Sequence, residues 1–332
     1  MTSDFLEVIP NSPPLSSVKI IDVTLRDGGF RVGFDWTISE AVSVVATCAA
    51  AGVYGVEIGY IGGIPDLHGQ TVAGFSSDIQ PHHVSDLSLA SSETILVGMI
   101  HPTSRVGSVN FTEMAAAGLR MVRIVYHPMW DKSVQDIVHR CRSAGLLVAI
   151  NIALITRYSA REVSDILHAV AANNPDIVFF ADTCSALLPN EVASLCKLVL
   201  DRGFDLGLHT HDFLSLALAN SLAAIQAGAR YIDASLFGIG RGAGNLKLEA
   251  LLVTLSSRRA AAPASVFALK SGLEYIKRKV GPERSTDLIS MCCGALNLTP
   301  PQEDFLRELS NDSKVQAALT AVFLGENPFR KK

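Results

Sequence analysis

The sequence predicts an α/β protein, a (β/α)8 TIM barrel with a C-terminal helical appendage, and three observations carry that prediction. Short apolar runs recur about every thirty residues over roughly 250 residues, the usual span of such a barrel. The runs are apolar almost throughout, as parallel strands covered on their outer face should be. Helix-like stretches separate them, and several stop at an Ala-Gly or Arg-Gly pair just before the next run: Ala51-Gly52, Ala117-Gly118, Ala144-Gly145, Arg202-Gly203 and Ala227-Gly228. Glycine in that position is helix C-cap chemistry.

Residues 1–17 form a polar lead-in with Pro10, Pro13 and Pro14, residues that favour loops. The barrel is expected over 18–262. Its first strand is read as Lys19 to Leu25, stopped by Arg26-Asp27-Gly28-Gly29, and its second as Gly55 to Ile58. The remaining six runs begin near Thr94, Met121, Leu146, Ile177, Leu206 and Tyr231, with helices such as Asp131 to Arg142, Ala160 to Ala172, Pro189 to Leu200 and Ser215 to Ala227 between them. From 263 to 332 the pattern changes to helices alone, expected at Val266 to Val280, Thr286 to Cys293 and Pro301 to Phe323. The glycine-rich stretch Gly238 to Gly244 follows the eighth strand instead of the first, and its third glycine has the wrong spacing for a dinucleotide fingerprint.

Composition narrows the function. Lys and Arg (28) nearly balance Asp and Glu (32), and no dense basic run offers a track for a phosphate backbone. No nucleic-acid partner is expected. The most apolar stretch, Leu146 to Ile155, is interrupted by Asn151 and too short to span a bilayer. A soluble, cytoplasmic protein with no membrane partner is the expectation, and the six cysteines, without a Cys-x-x-Cys pair, are read as reduced structural thiols.

Candidate chemistry gathers at the strand ends, where barrels of this kind place their active sites. His209 and His211 flank Thr210, so on a strand both imidazoles project to one side and can reach one cation. Strand one ends in Arg26-Asp27, strand two carries Glu57 and is followed by Tyr60, strand four ends in Tyr126-His127, and strand six ends in Asp182-Thr183; Asn245 lies in the loop after strand eight. Two imidazoles, a carboxylate and an amide oxygen form a thiolate-free set. Such donors suit Mn2+ or Mg2+ first, with Co2+ and Zn2+ as alternatives.

Four motifs in order, Asp22 to Gly28, His209 to Asp212, Ala219 to Leu222, and Gly238 to Asn245, resemble those of the DRE-TIM metallolyases, the HMGL-like family. The resemblance covers roughly residues 19–255 and looks closest to the 4-hydroxy-2-oxovalerate aldolase branch through Ala181-Asp182, Leu214-Ser215-Leu216 and the Gly-Ala-Gly-Asn loop. It implies a metal-dependent carbon–carbon lyase that makes or breaks a bond beside a pyruvate-type enolate of a small 2-oxo acid. Asp27, His209 and His211 would hold the divalent metal, with Asn245 as a further ligand. Arg26 would face the enolate oxygen, Glu57 matches the family's second-strand glutamate, and Thr183 would bind the substrate carboxylate or cap the next helix.

The chain also departs from that branch. Phe30 stands where the branch places its histidine acid/base, the region Met291 to Ala295 offers no counterpart of its C-terminal tyrosine, and Arg241 occupies the position of an acidic residue found in the synthase branch. His127, and after it His101, are therefore the candidate acid/base groups. Two alternatives follow: a Claisen-type enzyme condensing an acyl-CoA, and a non-catalytic metal-binding barrel acting as a partner subunit. The C-terminal helices are the expected contact for a second copy or a partner enzyme.

Overall fold

The computed structural model describes residues 17–64, 72–257, 266–281 and 287–329. Eight parallel strands close into a barrel in sequence order. They are β1 (Lys19–Asp22), β2 (Gly55–Ile61), β3 (Ile95–Ile100), β4 (Leu119–Tyr126), β5 (Leu147–Ile152), β6 (Ile177–Asp182), β7 (Asp205–Thr210) and β8 (Tyr231–Ala234). Closure is made by β1 and β8, which pair from Lys19 opposite Tyr231 to Asp22 opposite Ala234. The helices on the outside are α1 (Ile38–Ala50), α2 (Pro81–Ser88), α3 (Phe111–Ala116), α4 (Asp131–Ser143), α5 (Ala160–Ala172), α6 (Pro189–Leu200), α7 (Ala217–Gln226) and α8 (Leu248–Ser257).

Local chemistry sets the helix ends. Thr37 and Ser159 start α1 and α5 with reciprocal caps, each accepting from the backbone three residues on while Glu40 or Glu162 reaches back, which satisfies amide donors a helix leaves open. β1 ends earlier than the expected Leu25 because Asp22 turns back on the chain, accepting from the Thr24 amide at 3.0 Å and its hydroxyl at 2.8 Å. That turn carries Arg26 and Asp27 over the barrel mouth.

Two of the apolar cores build the barrel. One lies between strands and helices; the other fills the barrel near its N-terminal end with Ile21, Val23, Val97, Met121, Ala149, Ile177, Phe179 and Tyr231. Gly207 on β7 makes room for this filling, since a Cβ there would stand 2.2 Å from the Phe179 ring.

The expected helix from Pro301 to Phe323 is two helices, Pro300–Arg307 and Asp312–Phe323, because Asn311 caps the second through the Lys314 amide. The expected helix at Val266 to Val280 holds as Lys270–Val280 and packs on α1, where Glu40 accepts from Lys279 at 2.9 Å and from Tyr275. Leu288–Ala295 and the two later helices share a small core with Phe213 from the loop after β7. The expected domain boundary at 262/263, and the lead-in up to residue 16, lie outside the described residues.

β2 carries an irregularity that tests this reading of the fold. Gly59 has φ of +152°, and a Cβ there would stand 2.2 Å from the Ser76 carbonyl oxygen. Gly59→Ala is expected to lower unfolding free energy by about 2 kcal/mol or more, measured by urea denaturation; wild-type stability would show that the backbone there relaxes freely.

Candidate metal centre and active site

The C-terminal half of the barrel interior is polar. His209 ends the inward face of β7, and its Nδ1 meets the Asp233 carboxylate on β8 at 2.9 Å. That partner leaves Nε2 for another bond, the usual arrangement of a metal-ligating histidine backed by a carboxylate. His211, two residues on, brings its own Nε2 to within 3.4 Å of it. Asp27 completes the group: one donor atom from each of Asp27, His209 and His211 lies within 4.8 Å of the others, and all three residues are buried.

Asn245 joins from the loop after β8, where it bridges His211 across a short antiparallel contact. Its amide nitrogen donates to Asp27 at 2.9 Å and to the Ile239 carbonyl at 3.1 Å, which holds the side chain firmly. Its Oδ1, like His211 Nδ1, is buried with no hydrogen-bond partner among the described residues. A buried amide oxygen without a partner, on a side chain tied to Asp27, is costly unless something positive binds there. These donors fit a divalent cation.

Electrostatics around the group agree. Burial works against the Asp27 carboxylate, but Arg26, His211 and His209 outweigh it and hold its pKa below the usual carboxylate range. Burial pushes His211 down to about 4, with Asp27 opposing and His209 adding to the shift, so its ring is neutral at pH 7 and keeps a lone pair.

Arg26 is held on two sides. Its Nε donates to Glu57 at 2.6 Å and its Nη1 to Asp27 at 2.5 Å. Glu57 is fully buried and its second oxygen stands 3.3 Å from Arg123 Nε. Arg123, also fully buried, reaches across the barrel to Asp233 with both terminal nitrogens, one of them at 2.9 Å, and stacks on Phe179 with its carbon 4.0 Å from the ring centroid. An alternating row therefore runs from Asp27 through Arg26, Glu57, Arg123 and Asp233 to His209. Neither Arg123 nor Asp233 was singled out from sequence, although an ionisable residue inside an otherwise apolar strand was the available signal.

The other expected site residues have partners of their own. His127 is half-buried, accepts from the Met129 amide through Nδ1 at 3.2 Å and packs near Trp130 and Tyr158. His101 contacts Thr103 and Trp130. Thr183 accepts from the Leu154 amide at 3.0 Å. It does not cap α6, whose N-cap is Leu188; the side chain that holds that turn is Asp182, which accepts from the Ala186 and Leu187 amides. Phe30 sits in an apolar cluster with Phe34, Tyr60 and Met99.

Fold and site together define a (β/α)8 barrel with a nitrogen–oxygen cation site at the C-terminal ends of its strands, and comparison with known proteins places it among its kin. The HMGL-like family model matches residues 17–275, and the chain belongs to that family. A 4-hydroxy-2-oxovalerate aldolase of Geobacillus thermodenitrificans is 30% identical over 269 residues, covering 78% of this chain and 73% of that protein. An oxaloacetate decarboxylase of Mycobacterium tuberculosis is 28% identical over 249 residues, covering 72% and 70%. Among solved structures, the carboxyl transferase domain of Rhizobium etli pyruvate carboxylase shares the fold, with a TM-score of 0.74 and 15% identity over 92% of this chain and 56% of that one.

The row of alternating charges makes a sharp prediction. Arg123→Met keeps much of the side chain's volume but leaves Glu57 and Asp233 facing each other without their shared cation. Losing one member of a buried ionic set costs about 3–5 kcal/mol, so thermal unfolding should shift well downward. A melting temperature equal to wild type would mean that the row carries no strain of charge.

Proposed function

We propose that this chain is a divalent-metal-dependent carbon–carbon lyase acting on a small 2-oxo acid, in the manner of a 4-hydroxy-2-oxovalerate aldolase. The observation that carries the reading is the convergence of Asp27, His209 and His211 donors within 4.8 Å of one another, beside a guanidinium fixed by two carboxylates. Asp27, His209 and His211 are assigned as metal ligands and Asn245 Oδ1 as a fourth. Mn2+ or Mg2+ suits this set of donors best, and Co2+ or Zn2+ follow. When bound, the cation supplies Lewis acidity toward a chelating 2-oxo carboxylate.

The chain's own groups do the rest. Arg26 presents its fork to the carbonyl oxygen that becomes an enolate, and because Glu57 and Asp27 already hold it, little reorganisation is needed as charge develops. Glu57 acts by fixing Arg26. The Thr183 hydroxyl, whose oxygen accepts from Leu154, donates to the Ala181 carbonyl across a long 3.5 Å contact that it would exchange for one to the substrate carboxylate. His127, at the end of β4 with Nδ1 accepting from the Met129 amide, is assigned to relay the proton of the C4 hydroxyl to water. The relatives named as aldolase and as decarboxylase share one chemical need, an enolate of pyruvate type, and Arg26 beside the donor group meets it.

Partner contacts are assigned to the C-terminal helices, where Leu288, Phe323 and Leu324 are 75%, 78% and 69% exposed. No helix among the described residues is long and apolar enough to cross a membrane, and a cytoplasmic setting is part of the proposal.

Two experiments test the reading. Replacing His209 and His211 together with alanine should leave a folded barrel that has lost most of its divalent metal, since two ligands are gone; elemental analysis showing normal metal content would remove the site. Pyruvate release from a panel of 4-hydroxy-2-oxo acids, with Mn2+ or Mg2+ restored to stripped protein, tests the activity itself. In that assay Arg26→Lys should lower kcat by roughly 10²- to 10³-fold at unchanged metal content, because lysine keeps the charge but not the planar fork.

A further inference from the structure

β2 does not alternate regularly. Its pairing with β3 sets Glu57 opposite Val97 and then Gly59 opposite Gly98, leaving Ile58 as an extra residue. In an unbroken strand, residues three apart point to opposite faces. A bulge cancels one alternation and re-aims the side chains beyond it. Glu57 and Tyr60 are consequently both turned toward Arg26: the carboxylate accepts from its Nε at 2.6 Å, and the guanidinium's charge acts on the Tyr60 phenol against the effect of burial. Only glycine suits the bulge, given φ of +152° at Gly59 and the Ser76 carbonyl in the space of a Cβ.

The ring of Tyr60 is held by its neighbours. It packs edge-on near Phe30, centroids 6.2 Å apart, and near Phe34 at 6.1 Å, and the residue is 5% exposed. Phe30 has no proton to give, yet it wedges the phenol beside the guanidinium assigned to the enolate.

We propose that Tyr60 is the catalytic acid that protonates the carbon of the pyruvate-type enolate, an assignment that rests on the lyase reading above. When the C3–C4 bond of a 4-hydroxy-2-oxo acid breaks, its electron pair stays with C3 as the enolate. That pair takes the Oη proton, and the new C3–H bond completes the methyl group of pyruvate. The phenolate left beside Arg26 regains a proton from water, balanced by the proton that the C4 hydroxyl releases to water as the aldehyde forms. Burial raises the phenol to about 12, with Arg26 opposing, so it meets the enolate still protonated. The neighbouring guanidinium then stabilises the phenolate.

The reverse of this step, removal of a methyl proton from pyruvate, gives a direct readout: incorporation of deuterium into pyruvate in deuterated water, followed by mass spectrometry. Tyr60→Phe keeps the ring contacts with Phe30 and Phe34. It should slow exchange by about 10²-fold or more while metal content and the binding of oxalate, a stable mimic of the enolate, stay unchanged. Exchange at the wild-type rate in Tyr60→Phe overturns the assignment. So does loss of oxalate binding in Tyr60→Phe, which would make the phenol a binding group. Absence of both exchange and pyruvate release in metal-loaded wild type would instead overturn the lyase reading itself.

Discussion

Charges buried in a barrel must be answered by other charges, and that constraint organises the upper half of this molecule. A carboxylate taken from water into a protein interior costs several kcal/mol unless a cation and further hydrogen bonds compensate. Here three carboxylates, Asp27, Glu57 and Asp233, face two guanidiniums, Arg26 and Arg123, in a row with alternating sign. The carboxylates outnumber the guanidiniums by one. A divalent cation held by Asp27, His209 and His211 would cover that deficit and leave one positive charge for an anionic substrate. The same row orients its members: Asp233 sets the ring of His209, and Glu57 sets the fork of Arg26.

The lower half of the barrel obeys a different rule. It is filled by apolar side chains from six of the eight strands, and Phe179 marks the boundary, with Gly207 leaving space on one side and Arg123 stacked over its face. Apolar filling below supplies stability that tolerates ionic groups above. Stacking on an aromatic ring also suits arginine better than lysine, because the guanidinium is flat and weakly hydrated. A barrel strand in this protein is therefore structural at its start and functional at its end.

Much of this could be read from the sequence because it is written locally. Apolar runs, Ala-Gly helix stops and the His-x-His pair each occupy a few adjacent residues, and they sufficed for the barrel and for placing two imidazoles on one face of a strand; Asp27 was joined to them as a ligand through the resemblance of Asp22 to Gly28 to a family motif. Long-range pairing was not readable in that way. Arg123 and Asp233 stand 110 residues apart, and nothing near either names the other. The break between the last two helices was missed because a continuous helical pattern runs through Ser310 and Asn311, whose capping role appears only once the chain turns. Orientation was the third gap: Tyr60 follows Glu57 by three residues, which in a regular strand would aim it away from Arg26, and only the bulge at Gly59 reverses that.

The helical segment beyond the barrel bears on the site through the loops it holds. Gly242 has φ of +60°, and a Cβ there would collide with the Phe213 ring at 2.4 Å and a Glu303 oxygen at 2.6 Å, so the glycine loop is pressed between the loop after β7 and the helix Pro300–Arg307. Gly294 of the helix Leu288–Ala295 lies equally close to Leu214 and Phe213. On the far side, Asn297 ties the segment to the loop after β5 through Thr156, at 2.7 Å and 3.1 Å. Phe213 is two residues from His211, and Gly242 is three from Asn245, so the two loops in this grip carry His211 and Asn245 themselves. Donor atoms must be held to within a few tenths of an ångström to favour one cation geometry over another. A segment outside the barrel can thus tune the site without contributing a donor to it, because it clamps the loops on which the donors stand.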